Sequence, residues 1–313
     1  MSKKDLRLMI LYTESDFTPW KENITPDTLV AVLNAASLNY KTSITHFTGF
    51  DESLVNLLKR FDLVINLCYG YDSISQADVV KWLDAYSIPH ASSTWNSQML
   101  AMDKAKLPAL CNELDIDTPA LLKLDEVLSN KETMILKPRY GSLHRGIRVF
   151  KNNEITIEEV LNDENLIQPY IYGREFTVAV VPTAKSEDYI CLPPAEIVPV
   201  NIDEKEFIAG NAAGRTTVKF DPYLSETIKK KMMRSILSLH KHMGLHGMSR
   251  TDIRLAEKKF YILDVNAMPN MEPNKSFLPL IARHHSISYN ELIQRLITRF
   301  TKHYYATREL VSV

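Results

Sequence analysis

Residues 134–150 read MILKPRYGSLHRGIRVF: two β-like runs, Met134–Lys137 and Arg148–Phe150, around a loop that holds Gly141 and Gly146, two of the chain's nine glycines, within six residues. Short apolar runs bounded by Gly and Pro predict antiparallel strands joined by a tight loop. Glycine lets backbone N–H groups approach an anion closely, Ser142 adds a hydroxyl, and Lys137 and Arg145 add positive charge. The composition suits a phosphate cradle, and it equally suits a plain hairpin turn with exposed basic residues. It is neither GxxxxGK[ST] running into a helix nor GxGxxG.

Outward from this loop the chain divides by pattern. On the N-terminal side, Leu6–Tyr12, Lys41–Phe47 and Phe61–Leu67 read as strands and Asp27–Leu38, Leu54–Arg60 and Gln76–Tyr86 as helices, with Thr25-Pro26 as an N-cap and N1 pair and Ile88–His90 as a short extended piece. This β-α-β-α-β-α order over residues 1–95 predicts a small open parallel sheet, an α/β domain. Gln98–Asp115 reads as helical, with Pro108 bending it or starting a new helix. On the C-terminal side the spacing predicts strands at Leu166–Tyr170, Phe176–Pro182 and Ala195–Val200. Helices are predicted at Ile157–Leu161, Leu224–Met243 and Tyr289–Tyr304, and a hairpin pairs Arg250–Leu255 with Phe260–Asn266. This part is α+β.

Composition narrows the function classes. Nine glycines in 313 residues, about 3%, exclude collagen-like and Gly-rich linker readings. Charges of 37 basic against 38 acidic residues, net −1, give no basic excess for a nucleic-acid partner. Cys68, Cys111 and Cys191 are widely spaced and outside any CxxC pair, which argues against a disulfide framework and fits a reducing cytoplasm. The apolar run Leu8–Leu11 is too short for a signal segment or a membrane span, so the reading is cytoplasmic, without a membrane partner. His240, His242 and His246 read as surface or helix-terminal residues, and Met232, Met233, Met243 and Met248 as core.

Two further constellations carry chemistry. On a strand, residues two apart share a face, so Arg250 points with Asp252 and Asp264 with Asn266. If Asp252 pairs opposite Asp264, the turn is Glu257-Lys258-Lys259 and four polar groups converge. Two carboxylates and an amide oxygen suit Mg²⁺, with Arg250 beside them for a phosphate or oxyanion. A polar solvent-exposed hairpin is the competing reading, and the apolar run FYIL ahead of Asp264 weighs against it. In Leu166–Val178 (LIQPYIYGREFTV) a strand ends at a Pro-containing linker, a Gly turn follows, and Glu175 opens the next strand. Such a linker can meet an adenine edge and such a carboxylate a ribose; a hairpin with surface charges fits the segment as well.

In this order the segments resemble the ATP-grasp superfamily, closest to the D-alanine:D-alanine ligase group of carboxylate-amine ligases. Met102-Asp103-Lys104 is similar to the family's MDK, Ile88–His90 to its IPY and Asp117–Pro119 to its PTP. Lys137-Pro138 with Gly141-Ser142 and Gly146 is similar to its KPxxGSxxxG. Gly173–Val178 is similar to GxEFTV, Ala195–Ile197 to PxEI, Arg250 with Asp252 to RxD, and Asp264 with Asn266 to ExN. Met268–Met271 with Lys275–Pro279 is similar to SPGM and SxSLxP. Asp264 stands where the family has Glu, and Asn270 where it has glycine.

The resemblance implies an ATP-grasp fold in three parts: residues 1–95, a central subdomain 96–180, and a C-terminal subdomain 181–313 with the metal and substrate site. It implies that Lys104, Lys137, Gly141, Ser142 and Gly146 meet the phosphates of ATP, Gln168, Pro169, Tyr170 and Ile171 the adenine, and Glu175 the ribose. Asp252, Asp264 and Asn266 would hold Mg²⁺ or Mn²⁺. Arg250, Ser142 and Arg215, the last in a lid segment, are the implied catalytic residues, and Glu14, Asn270 and Ser276 the substrate-binding ones. The implied activity is ATP-dependent amide or peptide bond formation between small molecules by a homodimer. An ATP-grasp kinase that stops at phosphoryl transfer, and a non-catalytic nucleotide-binding protein, are the alternatives.

Overall fold

The run RLMILY at Arg7–Tyr12 (β1) is apolar nearly throughout because both faces of the strand are covered. In the computed structural model, which describes residues 5–13, 24–71, 74–141, 146–151, 154–185, 188–200 and 216–311, with side chains to 301, β1 lies between two parallel neighbours. Helix α1 (Pro26–Ser37) leads to β2 (Lys41–His46) and α2 (Glu52–Leu58) to β3 (Leu63–Leu67), in the order β2-β1-β3. Ile10 stands opposite both Ile44 and Ile65. Thr25 caps α1, taking the Thr28 N–H on its hydroxyl, and Pro26 occupies the first turn. A two-strand ribbon, β4 (Gly70–Tyr71) with β5 (Ile74–Ser75), precedes α3 (Gln76–Ala85), whose start is closed by a Ser75/Asp78 capping box. His90 adds a parallel bridge to Val64.

The helical stretch that follows breaks at Asp103–Lys106, ahead of Pro108. Helix α4 (Trp95–Met102) ends there, and Pro108 sits in the first turn of α5 (Leu107–Glu113). Beyond α6 (Leu124–Ser129), β6 (Met134–Pro138) runs antiparallel between β7 (Arg148–Phe150) and β8 (Asn165–Pro169). With α7 (Ile157–Leu161) present in the chain order, a small core of Val127, Met134, Leu136, Phe150 and Ile167 holds this layer together.

The third layer is antiparallel. Strands β9 (Arg174–Pro182), β10 (Tyr189–Cys191), β11 (Ala195–Pro199), β12 (Thr216–Lys219), β13 (Ser249–Ala256) and β14 (Lys259–Asn266) form one sheet in the order β12-β11-β9-β13-β14, with β10 beside β9. One face of β9 and β13, with Phe176, Val178, Val180 and Ile253, packs on Met232, Ile236 and Leu239 of α8 (Glu226–His242). The other face buries Ala179, Val181 and Ala195 against α9 (Phe277–His284) and α10 (Tyr289–Val311). These helices also share a core with Leu8 and Ile10 of the first sheet. Truncating a core residue such as Ile236, 1% exposed, to alanine costs about 2–5 kcal/mol at such a site.

The hairpin turn is tighter than expected: Ala256 pairs with Lys259, leaving Glu257 and Lys258 as the turn, and Glu257 takes φ +52°. His240 is not a surface residue. It is 1% exposed and hydrogen-bonded through Nδ1 to Ser249 Oγ at 2.7 Å, because the last turn of α8 packs on the start of β13. His242 is exposed and paired with Glu113. Met232, Met243 and Met248 are buried.

Candidate functional site

The β13–β14 hairpin pairs Asp252 with Asp264 and Arg250 with Asn266, as the spacing predicts. Asp252 also faces Thr177 across β9, whose hydroxyl donates to Oδ1 at 2.8 Å, while Arg250 Nη2 donates to Oδ2 at 3.0 Å. The Arg250 guanidinium lies 5.3 Å over the Phe277 ring. Immediately after Asp252 the register slips by one residue, and Leu263 becomes the unpaired residue of a bulge. Its carbonyl accepts the Lys137 ammonium at 3.1 Å, a contact from β6 into the third layer. Burial pushes the Lys137 pKa down to about 8, with Asp264 opposing that shift and Lys104 adding to it.

Lys104, just past the end of α4, donates from Nζ to the Gly141 carbonyl at 2.6 Å and from its backbone to Arg139 O at 3.2 Å. Beside it the buried Asp103 accepts Arg139 Nε and Nη2, each at 2.8 Å, and the Tyr140 hydroxyl at 3.3 Å. The Arg139 hydrogen bonds hold the Asp103 carboxyl below the usual range. The start of the glycine loop is therefore clamped to the end of α4. A cleft opens here, lined by Lys104, Gly141, Asp264 and Asn266 together with Tyr69 and Gln76 of the first layer. Gly146, at φ +71°, closes the loop; a Cβ there would lie 2.8 Å from Pro138 Cγ.

Along β8 and β9 the linker residues are fixed from several sides. Gln168 is buried with Nε2 donating to Pro119 O at 2.7 Å, Pro169 ends β8, and Tyr170 N donates to Thr133 O at 3.0 Å. Ile171 is half-buried. Glu175, 4% exposed, accepts Arg254 Nη2 at 2.7 Å. Burial lifts the Glu175 pKa to about 7, against the pull of Arg254.

After β14 the chain turns through Asn270, whose Oδ1 accepts both Glu272 N and Ser276 Oγ at 2.9 Å. Asn270 and Ser276 are thus brought together. The buried Glu272 carboxylate accepts the hydroxyls of Thr25 and Thr28 at the start of α1, and Tyr69 donates its hydroxyl to Pro269 O at 3.1 Å, so the first layer holds this turn. Glu14, Ser142 and Arg215 lie outside the described residues.

Asp252, Asp264 and Asn266 offer hard oxygen atoms from two paired strands. Each Asp252 oxygen accepts one hydrogen bond in the structure and keeps a lone pair, so this donor set fits Mg²⁺ or Mn²⁺. Tyr69, Arg254 and the Asp103–Arg139 clamp were not read from the sequence. The signals for two of them are local: Arg254 lies two residues past Asp252 on the same face, and Tyr69 follows the carboxyl end of a parallel strand, where α/β sheets bind ligands.

A family model described as an ATP-grasp domain matches residues 101–270, which spans every described residue above except Tyr69, Gln76, Glu272, Ser276, Phe277 and the α1 threonines. The chain is 27% identical over 271 residues to the D-alanine–D-alanine ligase of Fervidobacterium nodosum, covering 77% of this chain and 82% of that protein. It is also 27% identical over 280 residues to the D-alanine–D-alanine ligase of Petrotoga mobilis, at 85% and 89% coverage. In fold it is similar to the D-alanine–D-alanine ligase of Bacillus anthracis crystallised with ATP, with a TM-score of 0.73, 18% identity, and 96% and 99% coverage. The ligase of Coxiella burnetii gives 0.74 at 16% identity, with 99% and 97% coverage.

Proposed function

The chain belongs to the ATP-grasp domain family, and from that premise we propose that it is an ATP-dependent carboxylate–amine ligase of the D-alanine–D-alanine ligase kind. It would join two amino acids, or an amino acid and another amine, and release ADP and phosphate. The observation that carries this reading is the meeting of Lys104, Gly141, Asp264 and Asn266 on one cleft, with Arg250 and Asp252 paired 3.0 Å apart beside it.

A carboxylate is a poor acyl donor because its leaving group would be oxide. In this reading its oxygen attacks the γ-phosphorus of ATP, the bond to the β–γ bridging oxygen breaks, and ADP leaves behind an acyl phosphate. The amine of the second substrate attacks the acyl carbon, phosphate departs, and the amine loses a proton. Lys104 and Lys137 set ammonium groups beside the phosphates, and Gly141, Ser142 and Gly146 cradle them. Asp252, Asp264 and Asn266 would hold Mg²⁺ or Mn²⁺, which when bound offsets phosphate charge. Arg250 donates to the tetrahedral oxyanion, a role whose loss costs on the order of 10²–10³ in rate.

Gln168–Ile171 meet the adenine and Glu175 the ribose, Glu14 receives the first substrate's amine, Asn270 and Ser276 hold the second substrate's end, and Arg215 covers the phosphates. The division into 1–95, 96–180 and 181–313, a cytoplasmic setting and a homodimer belong to the same reading. Among the described residues no helix is long and apolar enough to cross a membrane.

The test is ADP release over paired D- and L-amino acids, followed by the mass of the product. An amide product, with Arg250→Ala and Asp252→Ala abolishing ADP release, supports the ligase. A stable phosphate ester makes the protein a kinase, and a nucleotide-dependent thermal shift with no turnover across the panel makes it a binding protein. Wild-type rates in either variant remove the assigned roles.

A further inference from the structure

Two ionisable side chains, Arg254 and Glu175, face each other across β13 and β9 at 5% and 4% exposure. Burying such a pair is costly, and apolar residues of similar size at such positions are often as stable or more so. The flanking residues Ile253 and Leu255 belong to the core on the opposite face, so this pair does not serve that packing. Its geometry suits a different purpose. Arg254 Nη2 donates to Glu175 Oε2 at 2.7 Å, Nη1 reaches the Gly173 carbonyl at 3.4 Å, and the guanidinium sits 5.7 Å over the Tyr170 ring. One planar cation therefore touches the linker at three points, through Tyr170, Gly173 and Glu175.

Resting on the reading of Glu175 as the ribose carboxylate, we propose that Arg254 is the positioning residue of the nucleotide subsite, fixing that carboxylate and the linker so that the protein selects nucleotides bearing intact ribose hydroxyls. Oε2 is taken by the guanidinium, and Oε1 makes no hydrogen bond among the described residues, which leaves one oriented oxygen for a sugar hydroxyl. Arg254 Nε is buried and also has no hydrogen-bond partner among the described residues, so the cation keeps a donor in reserve beside the carboxylate. A guanidinium suits this work better than an ammonium because its fork fixes direction as well as charge. A site built to hydrogen-bond a hydroxyl discriminates strongly against a ligand that lacks it, provided its own groups are held in place.

The experiment is isothermal titration calorimetry of the full chain with ATP, 2′-deoxyATP and 3′-deoxyATP in the presence of Mg²⁺, on wild type, Glu175→Gln, Arg254→Met and Arg254→Lys. Wild type is expected to prefer ATP over at least one deoxy analogue by about tenfold or more. Glu175→Gln and Arg254→Met should bring that ratio to within about threefold of unity, and Arg254→Lys should fall between. A general loss of stability would weaken all three nucleotides together and leave the ratio unchanged, so the ratio separates positioning from folding. If Glu175→Gln keeps the wild-type ratio, the ribose reading of Glu175 is wrong. If Glu175→Gln loses it and Arg254→Met keeps it, the role of Arg254 is overturned. Should Arg254→Met not fold, a wild-type ratio in Arg254→Lys overturns it equally.

Discussion

Replacing Gly173 with alanine tests how closely the linker must approach the sheet. A Cβ on Gly173 would stand 2.1 Å from the Leu255 carbonyl oxygen, 2.8 Å from its carbon and 3.1 Å from Ala256 Cα, all backbone atoms that cannot swing aside. Ordinary carbon–oxygen contacts begin near 3.3 Å, so the linker must retreat by about 1 Å. That retreat opens the end of the β9–β13 ladder, where Arg174 pairs with Leu255, and pulls the Gly173 carbonyl from Arg254. One lost ladder bond at about 1 kcal/mol plus overpacking of about 1–3 kcal/mol gives about 2–4 kcal/mol. Gly49 is the control, because at φ +134° it shares the positive-φ backbone but has nothing within 4 Å of its Cβ position. Urea unfolding should show Gly173→Ala about 2 kcal/mol or more below Gly49→Ala, with ATP affinity reduced only in the former. Equal losses in the two variants would refute the close-approach argument.

Burial holds the His240 imidazole neutral down to a pKa of about 3, against an ordinary value of 6.5, so between those limits the unfolded chain binds a proton that the native state does not. Native stability should therefore fall as pH falls below about 6.5, by up to about 1.4 kcal/mol per pH unit, and His240→Gln should flatten urea-derived stability between pH 6 and about 4; parallel curves would count against it. Glu272→Ala removes the carboxylate that takes both α1 hydroxyls and should cost about 2 kcal/mol in unfolding and weaken substrate binding. Glu272→Gln, which keeps an acceptor, should lose less than half of that, and equal losses would show that the hydrogen bonds to Thr25 and Thr28 are not what matters.

The parts of the fold legible in the sequence are those where a period or a cap states itself. The RLMILY strand, the Thr25-Pro26 helix start and the antiparallel strands around Gly141 and Gly146 are such cases, and so is the opposition of Asp252 and Asp264. The ribbon Gly70–Tyr71/Ile74–Ser75 and the strands Tyr189–Cys191 and Thr216–Lys219 are two to four residues long and carry no period to read. Helix α9 is hidden in the sequence because it starts inside Lys275–Pro279, the segment similar to SxSLxP, and spans only eight residues. His240 could have been found: it lies four residues past the buried Ile236 and three before Met243, on the apolar stripe of α8. The polar side chains that the fold gathers at the cleft are legible as types and spacings, but the clamp of Asp103 on Arg139 and the reach of Glu272 to Thr28 link segments 36 and 244 residues apart, which no local pattern encodes.

The bulge at Leu263 explains how one strand serves both the core and the site. Phe260, Ile262, Asp264 and Asn266 are spaced two apart, and on an unbroken strand all four would share a face. In the structure Ile262 pairs with Ile253 and joins Phe260 in the core under α8, while Asp264 pairs with Asp252 on the opposite face. The single extra residue between them reverses the alternation, and after it Val265, not Asp264, points to the core. Without the bulge, either Phe260 and Ile262 would leave the core or a carboxylate and an amide would enter it beside Met232. An unpaired charge there is a cost proteins do not carry. The bulge also releases the Leu263 carbonyl from the ladder, and Lys137 takes that carbonyl, so the same irregularity that turns two metal-suited oxygens toward the cleft anchors an ammonium group beside them.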